Sequence, residues 1–378
     1  MSATGFQYLL WIKRKIETTH ARDVVNLATS GVTTSFADEW QFDVITNRAA
    51  QVVQRWAEPN QFGLVSLKRA IRAAYNLPAD REIVCTSGAS GAIRLICELL
   101  LAGRSGGEVV VETPVYEPLR AIPERLGAKV VLADRSTCLP SIARCVSDKT
   151  VAIFLSNPHN PTGHWLNNGE LLELSRQVER IGSRSLIVVD ETFCDVGPQP
   201  GTTAAVVDRR IVTIGSLSKS CGLPSLRCGW VTADPTMLPG FVEDAVLFQN
   251  IGCKIAEILG AMACEEIDAF RQAAQRHVHR NRALVSAWLK DTTDAALIEP
   301  QTAPSGCVIF PRLLNAGSTA ELVEQLEARY GVLVTPGRFF GDAYDNHVRI
   351  GFGDNYDELK RGLSRLADGL VAVRRNAL

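Results

Sequence analysis

Five short stretches of the chain combine residue types that could do chemistry. In Thr86-Ser87-Gly88-Ala89-Ser90-Gly91, small residues stand between a strand-like run and the helical AIRLICELLL. Small side chains at a helix start leave backbone N–H groups open to an anion. A plain turn with an N-cap would read the same way. Ser156-Asn157-Pro158-His159-Asn160-Pro161-Thr162-Gly163 sets two X-Pro steps around a polar centre. That makes a rigid loop, which either presents Asn160 or merely connects. Asp190 ends the apolar run SLIVVD. A carboxylate there needs a partner; a cationic ring nitrogen would serve, and so would a helix start, since Glu191 follows. Gly215-Ser216-Leu217-Ser218-Lys219, with Arg227 eight residues after the lysine, suits an anion beside a reactive amine, or else a solvated turn. Finally, Val348-Arg349-Ile350-Gly351-Phe352 places an arginine inside an apolar strand. Its burial is costly unless it is paired. Its planar fork suits a carboxylate, from a substrate or from the protein itself.

These residues need elements to hold them. Strand-like runs are expected at Glu82 to Thr86, Glu108 to Glu112, Lys129 to Ala133, Val151 to Ser156, Ser185 to Asp190, Ile211 to Gly215 and Gly229 to Thr232. Several are apolar on both faces, as buried parallel strands are. Helical stretches such as Gly169 to Ile181 separate them, so the pattern is βαβ with a mostly parallel sheet. Ligands of such sheets sit at the carboxyl ends of strands, where four of the five stretches fall. Beyond about residue 240 a helix-rich run reaches Lys290. Strand-like Val308 to Pro311, Val332 to Thr335 and His347 to Gly351 then surround a helix opened by a capping box, Ser318-x-x-Glu321. A last helix starts near Asn355, with Glu358 three residues on. The expected division is an N-terminal arm over 1-40 that packs on the small domain, a large α/β domain over 41-240, and a smaller α+β domain over 241-378.

Bulk properties narrow the function. The 378 residues are 46% hydrophobic and 21% charged, which fits a folded enzyme of two packed domains. A formal net charge of -1 gives no basic surplus for nucleic acid or an anionic membrane. None of the ten cysteines forms a C-x-x-C pair and histidine is sparse, so no metal site is expected. No run of about 18 apolar residues spans a membrane, and the first twenty residues do not read as a secretory signal. A cytoplasmic enzyme with reduced thiols is the expectation.

Taken in order, Asn-Pro-His-Asn-Pro-Thr-Gly, Val-Val-Asp, Ser-Leu-Ser-Lys with Arg227, and Val-Arg-Ile-Gly-Phe resemble class I/II aminotransferases. The resemblance runs from about Asn26 to the last helix. It implies the fold-type-I architecture of enzymes dependent on pyridoxal 5'-phosphate (PLP), an amino-acid substrate, and a homodimer with active sites at the interface. It also implies roles. Lys219 would be the Schiff-base lysine and the proton-shuttling base, and Asp190 would pair with the pyridinium nitrogen. Asn160 would bond the ring 3′-oxygen, and Tyr116 would stack on the ring face. Gly88, Ala89, Ser90, Ser216, Ser218 and Arg227 would hold the phosphate. Gly31, Asn160 and Arg349 would face the substrate, with Arg349 on its α-carboxylate.

Two positions depart from the family pattern. Phe193 stands in Asp190-Glu191-Thr192-Phe193 where a tyrosine usually reaches the ring 3′-oxygen, and Glu58, with Trp56 nearby, stands where many relatives carry an interface tyrosine. A narrower likeness is to capreomycidine-synthase-like enzymes of specialised, antibiotic-type metabolism. It rests on Ser30-Gly31-Val32, Pro158-His159-Asn160-Pro161, Phe193, Cys221-Gly222-Leu223-Pro224, and Gly331 to Val334 running into Pro336-Gly337-Arg338. It implies β- or γ-elimination by a lyase or cyclase, ahead of ordinary transamination or decarboxylation. Leu9 and Leu10 stand where acids would meet a guanidine substrate, so an apolar or thioether side chain is the expected substrate type.

Overall fold

Alternation within single strands decides which helices the central sheet buries. The computed structural model describes residues 7–19, 22–32, 47, 50, 63–103, 106–135, 139–249, 252–314 and 317–377. In chain order its strands are β1 (Val25–Asn26), β2 (Glu82–Ser87), β3 (Glu108–Thr113), β4 (Lys129–Asp134), β5 (Thr150–Ser156), β6 (Leu186–Asp190), β7 (Ile211–Ser216), β8 (Cys228–Ala233), β9 (Val308–Ile309), β10 (Val332–Leu333), β11 (Thr335–Pro336) and β12 (Val348–Gly351). The helices are α1 (Gln7–Thr19), α2 (Val65–Ala74), α3 (Gly88–Leu101), α4 (Glu117–Arg125), α5 (Leu139–Arg144), α6 (Asn168–Arg180), α7 (Leu238–Gln249), α8 (Lys254–Glu265), α9 (Ile267–Asp294), α10 (Thr319–Gln325) and α11 (Tyr356–Ala377).

Seven strands form one sheet in the order β2-β8-β7-β6-β5-β3-β4. All its pairings are parallel except those of β8, which runs antiparallel to both β2 and β7. Val109, Val111, Phe154 and Val188 point to one face, where Ile93 and Ile96 of α3 and Phe241 of α7 cover them. Val110, Ile153, Leu155, Ile187 and Val189 point to the other, under Leu171, Leu174 and Val178 of α6. Successive residues thus serve opposite layers, as the period of two in a strand requires. This is the α/β architecture expected from the sequence, a mostly parallel sheet covered by helices on both faces. No described helix is long and apolar enough to cross a membrane.

A second core joins α1, β1 and the Leu27–Val32 segment to the later part of α9, to α10 and α11, and to strands β9–β12. Here β11-β12-β9 form a small antiparallel sheet, and β1 pairs in parallel with β10. Tyr8 and Ile12, four residues apart, are the apolar residues that α1 buries. The start of α9 behaves differently. Ile267 and Phe270 pack with α2 and α8, and from Ala274 onward α9 packs with the second core. The change of layer along this helix falls between Phe270 and Ala274. A helix of 28 residues is long enough to serve both cores.

Two local expectations need correcting. The capping box at Ser318 does not form: Ser318 makes no side-chain cap. The helix start is tied instead to a neighbouring turn, because Thr319 donates its N–H to Asp345 O (3.2 Å) and its hydroxyl to Asp345 Oδ1 (2.9 Å). The last helix starts where expected, at Tyr356, with Asn355 before it accepting the Asp357 N–H (2.9 Å), while Glu358 pairs with Arg361. The run Val332 to Thr335 is split between two sheets, since Leu333 pairs with Asn26 and Thr335 with Arg349. Within the large sheet, Phe154 is 1% exposed at the middle of β5. Phe154→Ala should lower the unfolding free energy by about 3–5 kcal/mol, measured as a lower urea midpoint at unchanged slope.

Candidate active site

Strand direction brings the chemistry to one edge. β2, β3, β5, β6 and β7 all end there, and antiparallel β8 begins there with Arg227 just ahead of it. One sheet edge thus carries Gly88, Tyr116, Asn160, Asp190, Lys219 and Arg227. Arg349 arrives from β12 of the small sheet.

Lys219 is half-buried. Its Nζ donates to Ser30 O (2.5 Å) and lies 3.3 Å from Ser30 Oγ, while its own carbonyl accepts the Val32 N–H (3.0 Å). Burial, with the Arg349 charge nearby, pushes its pKa down to about 8. Gly31 sits between those contacts at φ +139°, and a Cβ there would stand 3.1 Å from Lys219 Cδ. Asp190 is buried, and its Oδ1 accepts the Thr192 N–H (3.0 Å) and the Thr192 hydroxyl. Burial raises its pKa, while the Thr192 bonds and the Lys219 charge act the other way. A cation placed against Asp190 would favour its charged form. Phe193, two residues along the turn from Glu191, is buried and presents no hydroxyl.

Arg349 is fully buried. Nη1 donates to Asn160 Oδ1 (3.1 Å), and Nη2 faces Ala28 O (2.5 Å), the Tyr8 hydroxyl (2.7 Å) and Thr335 Oγ1 (3.3 Å). Every one of these acceptors is neutral. Nε has no partner among the described residues, and no described carboxylate lies within ion-pair distance. The alternative of a structural ion pair is therefore absent among the described residues. The guanidinium also lies 5.3 Å from the Tyr8 ring centre and 5.2 Å from that of Phe340. Gly351, two residues on, lets the Leu27–Val32 segment approach, since a Cβ there would sit 1.9 Å from Thr29 O.

The Asn160 loop is fixed from below. Asn160 N donates to Ser156 Oγ (3.1 Å), which itself donates to Glu112 (3.1 Å). His159 Nε2 donates to Pro114 O (2.9 Å), which sets the tautomer in which Nδ1 accepts the Thr162 hydroxyl (2.7 Å). Burial keeps this histidine neutral by pushing its pKa well down. The same contact ties the loop to the Thr113–Pro114 turn that carries Tyr116. Tyr116 is half-buried, edge-on to Tyr8 at 6.3 Å between ring centres.

The anion cradle lies at the start of α3. Ser87 at the N-cap makes no side-chain capping bond, which leaves N–H groups at Gly88, Ala89 and Ser90 for another acceptor. Arg227, in the left-handed conformation at φ 49°, donates from Nη2 to Ser87 O (3.2 Å). A Cβ on Gly88 would meet that nitrogen at 2.3 Å. The Ser216 hydroxyl donates to Ser218 Oγ (2.8 Å) and accepts the Ser218 N–H (3.1 Å). An amine, a buried carboxylate for a cationic nitrogen, a phosphate cradle and a carboxylate-sized guanidinium are the complement of PLP with an amino acid.

The profile of the family described as Aminotransferase class I and II matches residues 22–366. The chain belongs to that family. A capreomycidine synthase from Streptomyces vinaceus is 30% identical over 312 residues, covering 80% of this chain and 78% of its own. Arginine–pyruvate transaminase AruH from Pseudomonas aeruginosa is 27% identical over 302 residues, covering 76% and 74%. Two solved structures share the fold: a PLP-dependent aminotransferase from Streptococcus suis (TM-score 0.84, 20% identity, 98% of each chain) and the PLP-dependent cyclase OrfR (TM-score 0.82, 23% identity, 98% and 99%). As a class I/II aminotransferase-family member the chain is a PLP-dependent enzyme.

Tyr8, Ser30, Thr192 and Cys307 are site residues that sequence reasoning missed as such. Cys307 is buried beside Lys219 and the Gly31 backbone, and burial pushes its thiol up to about 11. Only Thr192 had a local signal, the Asp-x-Thr spacing of a side-chain-capped turn. Leu10 faces solvent and Leu9 is half-buried, so on this helix turn Tyr8 reaches the arginine. Trp56 and Glu58 lie outside the described residues. Only a neutral amine attacks an aldehyde, so borohydride-trapped labelling of the Lys219 amine by an aldehyde should rise with pH with its midpoint near 8. An inflection at the 10.5 of an ordinary lysine would contradict the burial described here.

Proposed function

We propose that this enzyme removes the Cα proton of an L-α-amino acid with Lys219 and then expels a β or γ substituent, as a lyase or cyclase of specialised metabolism. The observation that carries the amino-acid reading is Arg349. It is a buried cation whose described partners are all neutral, and a substrate carboxylate would supply the missing counter-charge. PLP, when bound, supplies an aldehyde and an electron sink for the Cα electrons. In this reading Asp190 keeps the ring nitrogen protonated, and Asn160 bonds the ring oxygen while touching Arg349. Tyr116 stacks on the ring. Gly88, Ala89, Ser90, Ser216, Ser218 and Arg227 take the phosphate, and Gly31 borders the substrate. Lys219 is suited to take and return a proton near neutral pH, because its pKa sits at about 8.

The elimination branch draws support from Phe193, which leaves one hydroxyl fewer for the ring oxygen, and from likeness to capreomycidine synthase. For a β substituent, loss of the Cα proton to Lys219 and departure of the leaving group with its bonding electrons leave a Cα=Cβ double bond and need no second substrate; for a γ substituent a Cβ proton must leave as well. Likeness to a transaminase favours the other branch, in which nitrogen passes to a keto acid. We further place the enzyme in the cytoplasm as a homodimer with its sites at the interface. Its large domain would extend into α9, and the arm over 1-40 would pack on the small domain.

The deciding experiment supplies amino acids bearing a good β or γ leaving group, without any keto acid. Repeated turnover with release of that group is the expected result. Turnover that depends strictly on added keto acid, with conversion of the keto acid to its amino acid, would establish an aminotransferase. Arg349→Ala should lower kcat/KM for the amino acid by the equivalent of about 2–5 kcal/mol, and should affect the corresponding decarboxylated amine far less.

A further inference from the structure

The first turn of α1 is held by one side chain from another layer of the fold. Glu117 is buried at the start of α4, immediately after Tyr116. Its Oε1 accepts the N–H groups of Gln7 (2.7 Å) and Tyr8 (3.0 Å), and its Oε2 accepts that of Leu9 (3.0 Å). A helix start leaves four N–H groups without intrahelical partners, and here one carboxylate takes three of them. Its charge also complements the positive end of the helix.

The consequence runs through Tyr8. With its N–H on Glu117, Tyr8 turns its ring between Tyr116, Phe339 and Phe340 and sets its hydroxyl 2.7 Å from Arg349 Nη2. The other end of α1 is tied elsewhere, by Lys15 to Glu324 (2.7 Å) and Glu327 (2.6 Å). The lysine bonds fix where the helix ends but leave its first turn free to fray. The Glu117 clasp removes that freedom at the turn that touches the arginine. Tyr116 and Glu117 are consecutive, so the strand end that places one ring beside the site also anchors the helix that braces Arg349.

We infer that Glu117 is a positioning residue for carboxylate recognition: it fixes the first turn of α1, and so holds the Tyr8 hydroxyl on Arg349. This rests on the proposed role of Arg349. Replacing Glu117 by Gln keeps the shape but turns an NH2 group towards one of the three N–H donors. Hydrogen exchange should then speed up at least roughly ten-fold in the Gln7–Trp11 stretch, with or without cofactor, since bonds to a charged acceptor are lost.

Binding is read from the cofactor absorbance of the holoenzyme. The probe is whichever of L-leucine, L-methionine and L-phenylalanine perturbs that absorbance at the lowest concentration in the wild type, alongside its decarboxylated amine. Glu117→Gln should weaken the amino acid roughly ten- to hundred-fold, leave the amine within about three-fold, and raise KM more than it lowers kcat. Tyr8→Phe should reproduce the selective loss. Combining the two should add little, because they act through one contact. Tyr8→Phe leaves the clasp intact and tests the same link if Glu117→Gln does not fold.

Equal weakening of amino acid and amine, unchanged exchange at Gln7–Trp11, or multiplying effects of the two variants would each overturn the inference. Arg349→Ala separates the two levels. If that substitution weakens amino acid and amine equally, the carboxylate reading falls with the inference. If it weakens the amino acid selectively and Glu117→Gln does not, only the role of Glu117 falls.

Discussion

A guanidinium taken out of water needs a counter-ion or a full set of oxygen acceptors, and among the described residues Arg349 has only acceptors. They come from four parts of the chain: Tyr8 on α1, Ala28 in the segment after β1, Asn160 at the end of β5, and Thr335 on β11. No single element could supply them, so the requirement draws an N-terminal helix, the large sheet and the small sheet to one point. The close approaches nearby serve it. Gly351 and Gly353 bear no side chain where the Leu27–Val32 backbone presses against them, at 1.9 Å and 2.0 Å from an added Cβ. The same segment that gives Ala28 O to Arg349 gives Ser30 O to Lys219, two residues later.

Charge around the lysine follows from that arrangement. Arg349 and burial both work against the Lys219 cation, while Asp190 works for it. Asp190 is in turn raised by burial and restrained by Thr192. The two groups are thus poised from opposite sides, an amine made easier to deprotonate and a carboxyl that gains from a fresh cation. This is the pairing an acid–base site needs: two titratable groups whose surroundings push them away from their ordinary values.

The large sheet was legible because its strands are apolar on both faces and bounded by turn residues. Expected and observed limits of β2 to β8 agree to within a residue at each end. Asp190, Lys219 and Asn160 each had a structural alternative at their positions at or after the ends of such strands, and their proposed roles rest on the ordered resemblance to the family. The small sheet was less so. Val332 to Thr335 looks like one strand, and only its tertiary neighbours, Val25–Asn26 on one side and Arg349 on the other, divide it. Ser318 and Glu321 have the spacing of a capping box, yet a stronger local partner at Asp345 takes over the helix start. Tyr8 was invisible as a site residue. It shares the buried stripe of α1 with Ile12, and nothing in the stripe separates a tyrosine that packs from one whose hydroxyl meets a buried cation.

The family profile begins at residue 22, and the residues proposed for the shared chemistry, Asp190, Lys219, Arg227 and Arg349, all lie within it. Tyr8 and Trp11 lie before it, on a helix that reaches Arg349 through one and stacks on Phe339 at 5.2 Å through the other. Tyr8 thus sets an aromatic ring and a hydroxyl, and no carboxylate, against the arginine on this helix. Glu117, the acid nearest this turn, is already occupied by three backbone N–H groups. A guanidinium would have to displace those bonds to be recognised by it, whereas an apolar or sulfur-bearing chain would lose nothing by packing on the rings.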